Sequence, residues 1–445
     1  MSQHTPTPRV VPHTYHIVTY GCQMNDNDSE IMSGILDARG LTRVPTEQEA
    51  DLVLVNTCVV REGAEERAVG RLAGMSTDRK TRPGKLIGVT GCLAQRDGDT
   101  VLQAVPHADL VVGTRDLFRL SELLDQAITT GERVIAIGDV DKPVFLRDEP
   151  VRRKHDIKAL VTAMYGCNNF CTFCIVPKTR GREVSRPLPE VVEEVRRLVR
   201  MGYVEVQLLG QNVNSYRWNG ADFSDLLEAV NAVEGLRRIR FITSHPKDCP
   251  DKLLDAVAQL DKVCDNFHLP VQAGSNRVLR RMKRFYTKDD YMDLLARVRS
   301  RIPGASITTD LIMGFPDETD EDFEATYELL NQARWDSAFA FMYSPREGTK
   351  AATWRDSIPD EQKKHRLQRC LGRQEIISAE VNQALIGSNV EVLVEGVSKR
   401  SEADMVGRTT GDKSVVFAGS SDMIGQLVQV RVTDAHAHTL FGSAE

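Results

Sequence analysis

Three cysteines stand close together in the segment 167–174, where their spacing is C-x3-C-x2-C. Cuboidal iron–sulfur clusters are normally held by four Cys thiolates. Cys167, Cys171 and Cys174 have no fourth Cys near them in the chain, so one iron of a cluster held here would stay open to a small molecule. An open metal position distinguishes a reactive site from a structural one. The segment therefore predicts a reactive iron–sulfur cluster with three protein ligands.

A structural zinc site is the main alternative for this segment. Such a site needs four closed ligands, which usually come as two closely spaced pairs. A second pair is absent from the sequence, and the nearest imidazole, His155, lies in the charged run 152–156, which is typical of a solvated linker. Three unrelated buried thiols are a further alternative, but Asn and Thr fill the gaps where core residues would be expected. Iron–sulfur ligation is the favoured interpretation.

Three further cysteines, Cys22, Cys58 and Cys92, each follow a short apolar run in the N-terminal part of the chain. The runs are rich in β-branched residues, which favours buried parallel strands, and they cover residues 16–20, 51–56 and 85–90. In an open α/β sheet the carboxyl ends of the strands line the ligand crevice. A lone Cys at a strand end is usually a small buried residue, but three in register predict a second cluster, again with three ligands.

The alternation of strands and helices predicts three units. Residues 13–129 follow a βαβ pattern and predict a doubly wound parallel α/β domain. Residues 153–382 carry six strand–helix repeats, which predict a partial (β/α)6 barrel with its chemistry on the loops after the strands. Residues 384–445 consist of short strands with Gly turns, as expected of a small antiparallel β-barrel. A strand candidate at 133–137 and a polar link at 141–153 lie between the first two units.

The composition, with 41% hydrophobic and 27% charged residues in a chain of 445, is ordinary for a soluble globular protein. A net charge of −6 does not indicate a globally basic nucleic-acid binder, so any polyanion must be held by local patches. We expect a cytoplasmic protein without membrane contact, because no apolar run approaches the roughly 20 residues of a membrane helix and residues 1–8 lack a secretory signal. Cys249, Cys264 and Cys370 lack ligand-like spacing and are expected to be structural thiols.

Three motifs give the chain a resemblance to a known family. They are Tyr20-Gly21-Cys22-Gln23-Met24-Asn25, the stretch from Cys167 to Pro177 with Thr179-Arg180-Gly181-Arg182-Glu183 after it, and Leu209-Gly210-Gln211-Asn212-Val213-Asn214-Ser215-Tyr216. Together with the order of the three units, these motifs resemble the radical S-adenosylmethionine (SAM) methylthiotransferases, which carry an N-terminal methylthiotransferase domain, a radical SAM core and a TRAM domain. The residues after Cys22 resemble the branch that acts on isopentenyl-adenosine. Asp317 stands where the family usually has Gly, and Ala273 where it usually has Ser. Asp also suits a turn, so we expect a small effect.

The resemblance implies a transferase that adds a methylthio group to C2 of N6-isopentenyl-adenosine beside the tRNA anticodon. Its cofactors would be two 4Fe-4S clusters and SAM, whose reductive cleavage yields a radical able to abstract the poorly acidic C2 hydrogen. By resemblance, the catalytic SAM-binding cluster takes Cys167, Cys171 and Cys174, and an auxiliary sulfur-carrying cluster takes Cys22, Cys58 and Cys92. Further cofactor contacts implied by the resemblance are Phe173, Gln211 and Asn212.

The expected partners are the anticodon loop of a tRNA and an electron donor such as flavodoxin or ferredoxin, and the expected oligomeric state is a monomer. RNA contact is predicted for a set of mainly basic residues: Lys178, Arg180, Arg182, Arg186 and the run 280–286. A solvated helix face explains the part of this run at 280–284 equally well. Two alternatives stay open. One is methylthiolation of threonylcarbamoyl-adenosine or of a ribosomal protein side chain, and the other is an RNA-binding iron–sulfur sensor without turnover.

Overall fold

The computed structural model describes residues 9–59, 62–82, 84–140 and 150–445. Residues 1–8 and most of the predicted polar link at 141–153 therefore lie outside the described residues. The first unit comprises β1 (Thr14–Thr19), α1 (Gln23–Ala38), β2 (Thr42–Arg43), β3 (Leu52–Thr57), α2 (Glu62–Thr81), β4 (Leu86–Gly91), α3 (Cys92–Asp97), α4 (Val101–Ala104), β5 (Leu110–Val112), α5 (Leu120–Thr130) and β6 (Val134–Ala136).

The strands of the first unit form one parallel sheet in the order β2-β1-β3-β4-β5-β6. Every residue of β3 and β4 is buried, as expected of central parallel strands covered on both faces. Helices α1 and α5 pack on one face, and α2 and α3 pack on the other. The predicted doubly wound α/β domain is confirmed. The sheet extends past residue 129, because β6 pairs with β5.

The second unit contains all six predicted barrel strands. Its elements are β7 (Lys158–Thr162), β8 (Met164–Tyr165), α6 (Val176–Thr179), β9 (Val184–Ser185), α7 (Leu188–Arg200), β10 (Glu205–Leu209), β11 (Arg217–Trp218), β12 (Ala221–Asp222), α8 (Phe223–Asn231), β13 (Arg238–Phe241), α9 (Asp251–Gln259), β14 (Asn266–His268), α10 (Asn276–Met282), α11 (Lys288–Arg301), β15 (Ser306–Met313), α12 (Asp320–Ala333), β16 (Ser337–Met342) and α13 (Asp360–Gln383).

The six barrel strands form two parallel sheets, β13-β10-β7 and β14-β15-β16. Among the described residues, one isolated β bridge, between Ile239 and Val263, links the two sheets. The helices pack against the outer face of the strands in one large apolar core. Helix α7 shows why: its buried residues Val191, Val195 and Leu198 recur at helical spacing and form one stripe. The predicted partial barrel is confirmed.

The third unit is a closed five-stranded barrel in the order β17-β18-β19-β21-β20, formed by β17 (Asn389–Ser398), β18 (Ser401–Thr409), β19 (Ser414–Ala418), β20 (Leu427–Ala435) and β21 (Leu440–Ala444). The predicted small antiparallel barrel is thus confirmed, with one parallel pair among its antiparallel pairs. Strands β19 and β21 are parallel, because β20 intervenes between them in the chain and turns β21 back in the direction of β19.

The small barrel docks on the amino-terminal ends of the large barrel's strands. Arg240 donates to the carbonyl oxygen of Thr409 at 2.6 Å, and Arg238 donates to that of Arg408 at 2.7 Å. Asn266, the first residue of β14, donates to Gly411 at 3.4 Å. The hairpin between β18 and β19 therefore closes the bottom of the large barrel. The opposite mouth, at the carboxyl ends of the strands, is left for the predicted site.

Candidate metal centre

Cys167, Cys171 and Cys174, called here the loop triad, lie in the loop after β7 and β8, where barrels of this type place their chemistry. Gly166 begins the loop with φ +71°, and a Cβ there would lie 2.0 Å from the carbonyl oxygen of Arg182. The loop is folded back on itself, since the Cys167 N–H donates to Gly181 at 3.1 Å and the Cys174 N–H donates to Cys171 at 3.0 Å. Local backbone geometry therefore gathers the three thiols.

The loop triad combines one buried and two half-buried thiols with one buried cation. Burial raises the pKa of Cys167 to about 11 and that of Cys174 to about 12. Without a metal these two thiols stay protonated at neutral pH, so cluster binding must release protons. Arg284 is buried and places its Nη1 3.4 Å from the Cys171 sulfur. Its guanidinium therefore donates a charge-assisted hydrogen bond toward this sulfur.

The three residues predicted to contact the cofactor lie at the same mouth. Phe173 is half-buried and meets Phe315 edge-on, with ring centroids 6.4 Å apart. Gln211 accepts a hydrogen bond from the Gly166 N–H through its Oε1, so this side chain holds the start of the loop. Asn212 is buried and donates from Nδ2 to Asp248 at 2.8 Å. Their contact with a cofactor stays a prediction.

Several buried polar atoms at the mouth have no hydrogen-bond partner among the described residues. They include Asn212 Oδ1, which follows β10, and Ser244 Oγ and His245 Nε2, which follow β13. Burial, aided by the charge of Arg284, lowers the pKa of His245, so its ring is neutral. An unsatisfied buried polar group costs about 1–3 kcal/mol. These atoms fit the amino, carboxylate and hydroxyl groups of a polar cofactor such as SAM.

The inner face of β14, β15 and β16 carries a polar cluster that the sequence analysis missed. His268 Nδ1 lies 2.9 Å from Thr308 Oγ1, and His268 Nε2 lies 3.4 Å from Asp310 Oδ2. Phe339 pairs in register with Asp310 and is 46% exposed although it lies inside the barrel. The interior is therefore open beside an aromatic ring and three polar side chains, as a binding chamber requires.

Cys22, Cys58 and Cys92, called here the strand-end triad, follow three neighbouring strands, β1, β3 and β4. The predicted convergence at one sheet edge is present. Asn25, fully buried in the first turn of α1, connects two of the ends: its Oδ1 accepts from the Cys22 N–H at 3.3 Å, and its Nδ2 donates to the Thr57 carbonyl at 3.2 Å. The Asn of the motif after Cys22 thus fixes Cys22 next to Cys58.

The strand-end triad has a different electrostatic character from the loop triad. A hydrogen bond from Cys58, helped by the charge of Arg180, lowers the pKa of Cys22 to about 6. Burial raises the pKa of Cys92, and Arg180 opposes this. Cys22 is exposed, whereas Cys58 and Cys92 are buried. One thiolate is therefore available at neutral pH before any metal arrives.

Arg180 belongs to the second unit but faces the strand-end triad. It forms an ion pair with Asp28 of α1 at 2.6 Å, and the two side chains are only 6% and 4% exposed. Its carbonyl oxygen accepts from Arg115 Nη2 at 2.6 Å. The segment that follows the loop triad is thus built into the wall of the strand-end triad.

Helix α1, which begins directly after Cys22, docks on the mouth of the large barrel. Gln23 Nε2 lies 3.4 Å from Gln207 Oε1 of β10, and Asn27 Nδ2 donates to Thr162 Oγ1, at the end of β7, at 3.1 Å. The strand-end triad therefore lies at the same end of the barrel as the loop triad.

Within the described part of the chain, no three His, Cys, Asp or Glu side chains converge tightly enough to hold a single metal ion. A cuboidal cluster carries its irons at separate corners, so its thiolates stay further apart than the ligands of one ion. Interactions among Cys167, Cys171 and Cys174 help to raise the pKa of Cys174, and Cys22 helps to raise that of Cys92, so the thiols of each set lie within electrostatic reach of one another.

The predicted RNA contacts are wrong for three of the arginines. Arg180, Arg186 and Arg284 are buried: Arg180 pairs with Asp28 and Arg186 with Glu194, while Arg284 faces Cys171. Charge alone suggested solvent exposure, and a single sequence shows no sign of the acidic partners. Lys178 and Arg182 are exposed, and their contact with RNA stays a prediction. The three remaining cysteines, Cys249, Cys264 and Cys370, are buried.

Three family descriptions match the chain in sequence order. They are Uncharacterized protein family UPF0004 over residues 14–113, the Radical SAM superfamily over residues 161–330 and the TRAM domain over residues 383–444. Each match falls on one of the three units described above.

The chain is also similar over nearly its full length to curated proteins. It is 47% identical over 434 residues to a protein of Moorella thermoacetica named tRNA-2-methylthio-N(6)-dimethylallyladenosine synthase, with 96% of this chain and 98% of that protein covered. A protein of the same name from Acetivibrio thermocellus is 45% identical over 434 residues, with 96% and 90% covered.

Solved structures share the fold at low sequence identity. The radical S-adenosylmethionine methyltransferase TsrM from Kitasatospora setae superposes with a TM-score of 0.56 at 13% identity, over 77% of this chain and 74% of that one. The cobalamin-dependent S-adenosylmethionine radical enzyme OxsB gives a TM-score of 0.51 at 12% identity, over 84% and 57%. At this identity the likeness extends to the fold alone.

Proposed function

The chain belongs to the family of tRNA-2-methylthio-N(6)-dimethylallyladenosine synthases, which are radical SAM methylthiotransferases, and from this we propose that it adds a methylthio group to C2 of N6-isopentenyl-adenosine beside a tRNA anticodon. One structural observation supports the proposal most strongly. The helix that begins at Cys22 docks on the mouth that carries the loop triad, so two sets of three thiols serve one reaction space.

The two thiol sets have separate roles in this proposal. The loop triad holds the 4Fe-4S cluster to which SAM binds, and the strand-end triad holds an auxiliary 4Fe-4S cluster. When bound, these cofactors supply one-electron cleavage of SAM, the sulfur and the methyl group. The assignment rests on the fit of the thiols, on the buried cations beside them and on the unpartnered polar atoms at the mouth.

The chain's own residues hold, orient and shield these groups. Arg284 and Arg180 provide positive charge beside the two thiol sets, which favours anionic ligands in a buried setting. Phe173 and Phe315 lie in an apolar cluster at the mouth that excludes water from reactive species. Asn212, Ser244 and His245 offer unpaired polar atoms to SAM.

Several finer assignments belong to the same proposal. The units run over residues 13–129 with β6 added to the first, 153–382 and 384–445, supported by family matches that fall within or close to these limits. The tRNA partner is supported by the names of the relatives and by the TRAM match. An electron donor such as flavodoxin or ferredoxin, a monomeric state and a cytoplasmic location complete it. Among the described residues, no helix has the length and apolar character needed to cross a membrane.

The test is an anaerobic reaction of the reconstituted protein with SAM, dithionite and tRNA that carries isopentenyl-adenosine. Nucleoside mass spectrometry is expected to show the 2-methylthio derivative, together with 5′-deoxyadenosine. Matched tRNAs with unmodified adenosine or threonylcarbamoyl-adenosine serve as controls. Formation of 5′-deoxyadenosine with product only on threonylcarbamoyl-adenosine would replace the proposed substrate. A protein that forms no 5′-deoxyadenosine at all would support the sensor alternative.

A further inference from the structure

Four side chains form a mixed cationic and aromatic surface on the edge of the mouth, called here the rim surface: Phe170, Arg182, Lys283 and Phe285. The Arg182 guanidinium lies 4.3 Å from the centroid of the Phe170 ring. Lys283 Nζ lies 6.0 Å from the Phe170 centroid and 5.6 Å from the Phe285 centroid. Two rings and two cations therefore alternate across one patch.

The rim surface is built onto the loop triad. The Thr172 N–H donates to the Met282 carbonyl at 3.1 Å, and its Oγ1 donates to the Arg281 carbonyl at 2.8 Å. These bonds tie the loop to the end of α10, which brings the two halves of the surface together. Arg284, between Lys283 and Phe285, points inward to Cys171 while its two neighbours are exposed. The same short segment thus serves the thiol on one side and solvent on the other.

The backbone of the rim surface adopts left-handed conformations that glycine normally occupies. The φ angle is +48° at Phe170 and +59° at Phe285, and each such residue costs about 1–2 kcal/mol. Lys283, at +64°, is accounted for as the residue that ends α10. Phe285 gains little in return from burial, because its side chain is 63% exposed. The exposed ring is therefore not explained by packing.

We propose that the rim surface stacks unpaired bases of the RNA loop next to the reacting nucleoside, an inference that rests on the proposed function. Sequence-tolerant stacking on aromatic rings, with cations along the backbone, is the common mode of single-stranded RNA binding. Arg182 and Lys283 give the patch the charge that phosphates require. Phe170 directly precedes Cys171, so a base stacked there lies beside the loop triad.

The first test measures binding of an anticodon stem–loop RNA to the cluster-loaded protein by fluorescence anisotropy under anaerobic conditions. Phe285→Ala is expected to weaken binding about tenfold, the loss that follows from one stacked base. Phe285→Tyr keeps a ring and is expected to bind like the unaltered protein. Ile376→Ala is the matched control, since Ile376 is a 51% exposed apolar residue on α13. Unchanged affinity of Phe285→Ala would overturn the proposal.

A second test separates stacking from charge. RNA with abasic sites beside the target nucleoside is expected to bind the unaltered protein about tenfold more weakly, with no further loss on Phe285→Ala. The logarithm of the binding constant falls as the logarithm of the salt concentration rises. Lys283→Met is expected to make this fall less steep by about 0.7, with intact and abasic RNA alike. Equal losses for Phe285→Ala on both RNAs would show that the ring acts on folding or charge. Lys283→Met then still tests the surface, and an unchanged salt slope would overturn it.

These measurements can refute the rim surface and the proposed reaction separately. A protein that stacks bases as described but forms no methylthio product refutes the proposed reaction and leaves the rim surface in place. A protein that forms the product but binds intact and abasic RNA equally refutes the rim surface and leaves the reaction in place. Release of 5′-deoxyadenosine by Phe285→Ala without RNA checks that the loop triad is intact in the variant.

Discussion

The two thiol triads reach the same mouth by opposite routes. The loop triad comes from eight consecutive residues and is shaped by local hydrogen bonds, such as that from Cys167 to Gly181. The strand-end triad comes from three strand ends and exists only because β1, β3 and β4 are neighbours in a parallel sheet. The loop triad therefore depends on one loop, whereas the strand-end triad depends on the whole first unit and on the second unit that docks against it.

The electrostatic difference follows from this construction. The loop thiols are enclosed by their own backbone, and burial raises the pKa of Cys167 and Cys174. The strand-end thiols meet at an interface, where Cys58 and Arg180 lower the pKa of the exposed Cys22. A site assembled between units can combine an accessible thiolate with a cation from the other unit. A site folded within one loop must find its cation nearby, as Cys171 does in Arg284.

The strongest test of this comparison removes one set of thiols at a time. A Cys167→Ala/Cys171→Ala/Cys174→Ala variant is expected to lose SAM cleavage completely, because no ligand remains for the cluster to which SAM binds. A Cys22→Ala/Cys58→Ala/Cys92→Ala variant is expected to keep SAM cleavage and about half of the iron, since one of two clusters remains. Iron assays and 5′-deoxyadenosine release measure the two outcomes. Full iron retention by the second variant would remove the auxiliary cluster from the proposal.

The second test concerns the dependence of the strand-end triad on the neighbouring unit. Arg180→Met leaves the buried Asp28 without its partner, and breaking a buried pair costs about 3–5 kcal/mol. We expect a lower thermal midpoint and loss of iron from the strand-end triad.

Lys154→Met is the control for the Arg180 variant. Lys154 pairs with Asp26 of the same helix at 3.4 Å, but Lys154 is 59% exposed, so its removal is expected to cost less than about 1 kcal/mol. Equal destabilisation by the two variants would show that Arg180 has no special place at the interface.

The fold and the thiols could be predicted from sequence because each left a local pattern. The spacing C-x3-C-x2-C marks the loop triad directly, and β-branched runs that end in Cys mark the strand-end triad through the rule that parallel strands end at one edge. Asp317, where the family usually has Gly, was expected to suit a turn, and its φ of +66° agrees. The structure contains every predicted barrel strand for the same reason, since strand patterns are local.

The charged residues could not be placed from sequence, because their positions depend on tertiary partners. Arg180 and Arg284 resembled RNA-binding residues, yet both are buried beside thiols. Their roles depend on Asp28, far away in sequence, and on the left-handed residue Lys283, which turns Arg284 inward. The His268–Asp310 pair was missed for a similar reason, since only the strand register brings the two together.

The third test compares the reactivity of the two sets of thiols in cluster-free protein. At pH 7.5 Cys22, with a pKa of about 6, is expected to react with iodoacetamide on the order of a hundredfold faster than Cys174, with a pKa of about 12. The factor is smaller than the ratio of thiolate fractions, because a thiolate of low pKa is a weaker nucleophile. As the pH is raised, the alkylation rate of Cys22 is expected to level off above pH 6, whereas that of Cys174 is expected to keep rising over the whole accessible pH range. Peptide mass spectrometry measures both, and equal rates would contradict the electrostatic difference.

The smallest expected effect tests whether the loop triad depends on local backbone alone. In Gly166→Ala the new Cβ would lie 2.0 Å from the Arg182 carbonyl oxygen, at φ +71°. Gly202→Ala is the matched control, because Gly202 has φ +98° but a Cβ there would have no described heavy atom within 4 Å beyond its chain neighbours, so it carries backbone strain without overlap. Thermal unfolding is expected to show that Gly166→Ala lowers the free energy of unfolding by about 1–3 kcal/mol more than Gly202→Ala does, which is the range for overpacking. Iron loss is expected mainly at the loop triad, since Gly166 begins that loop, whereas Arg180 is held at the strand-end triad by its own bonds to Asp28 and Arg115. If Gly166→Ala removes iron from both sets, the two triads share one folding unit and the contrast between local and assembled sites does not hold.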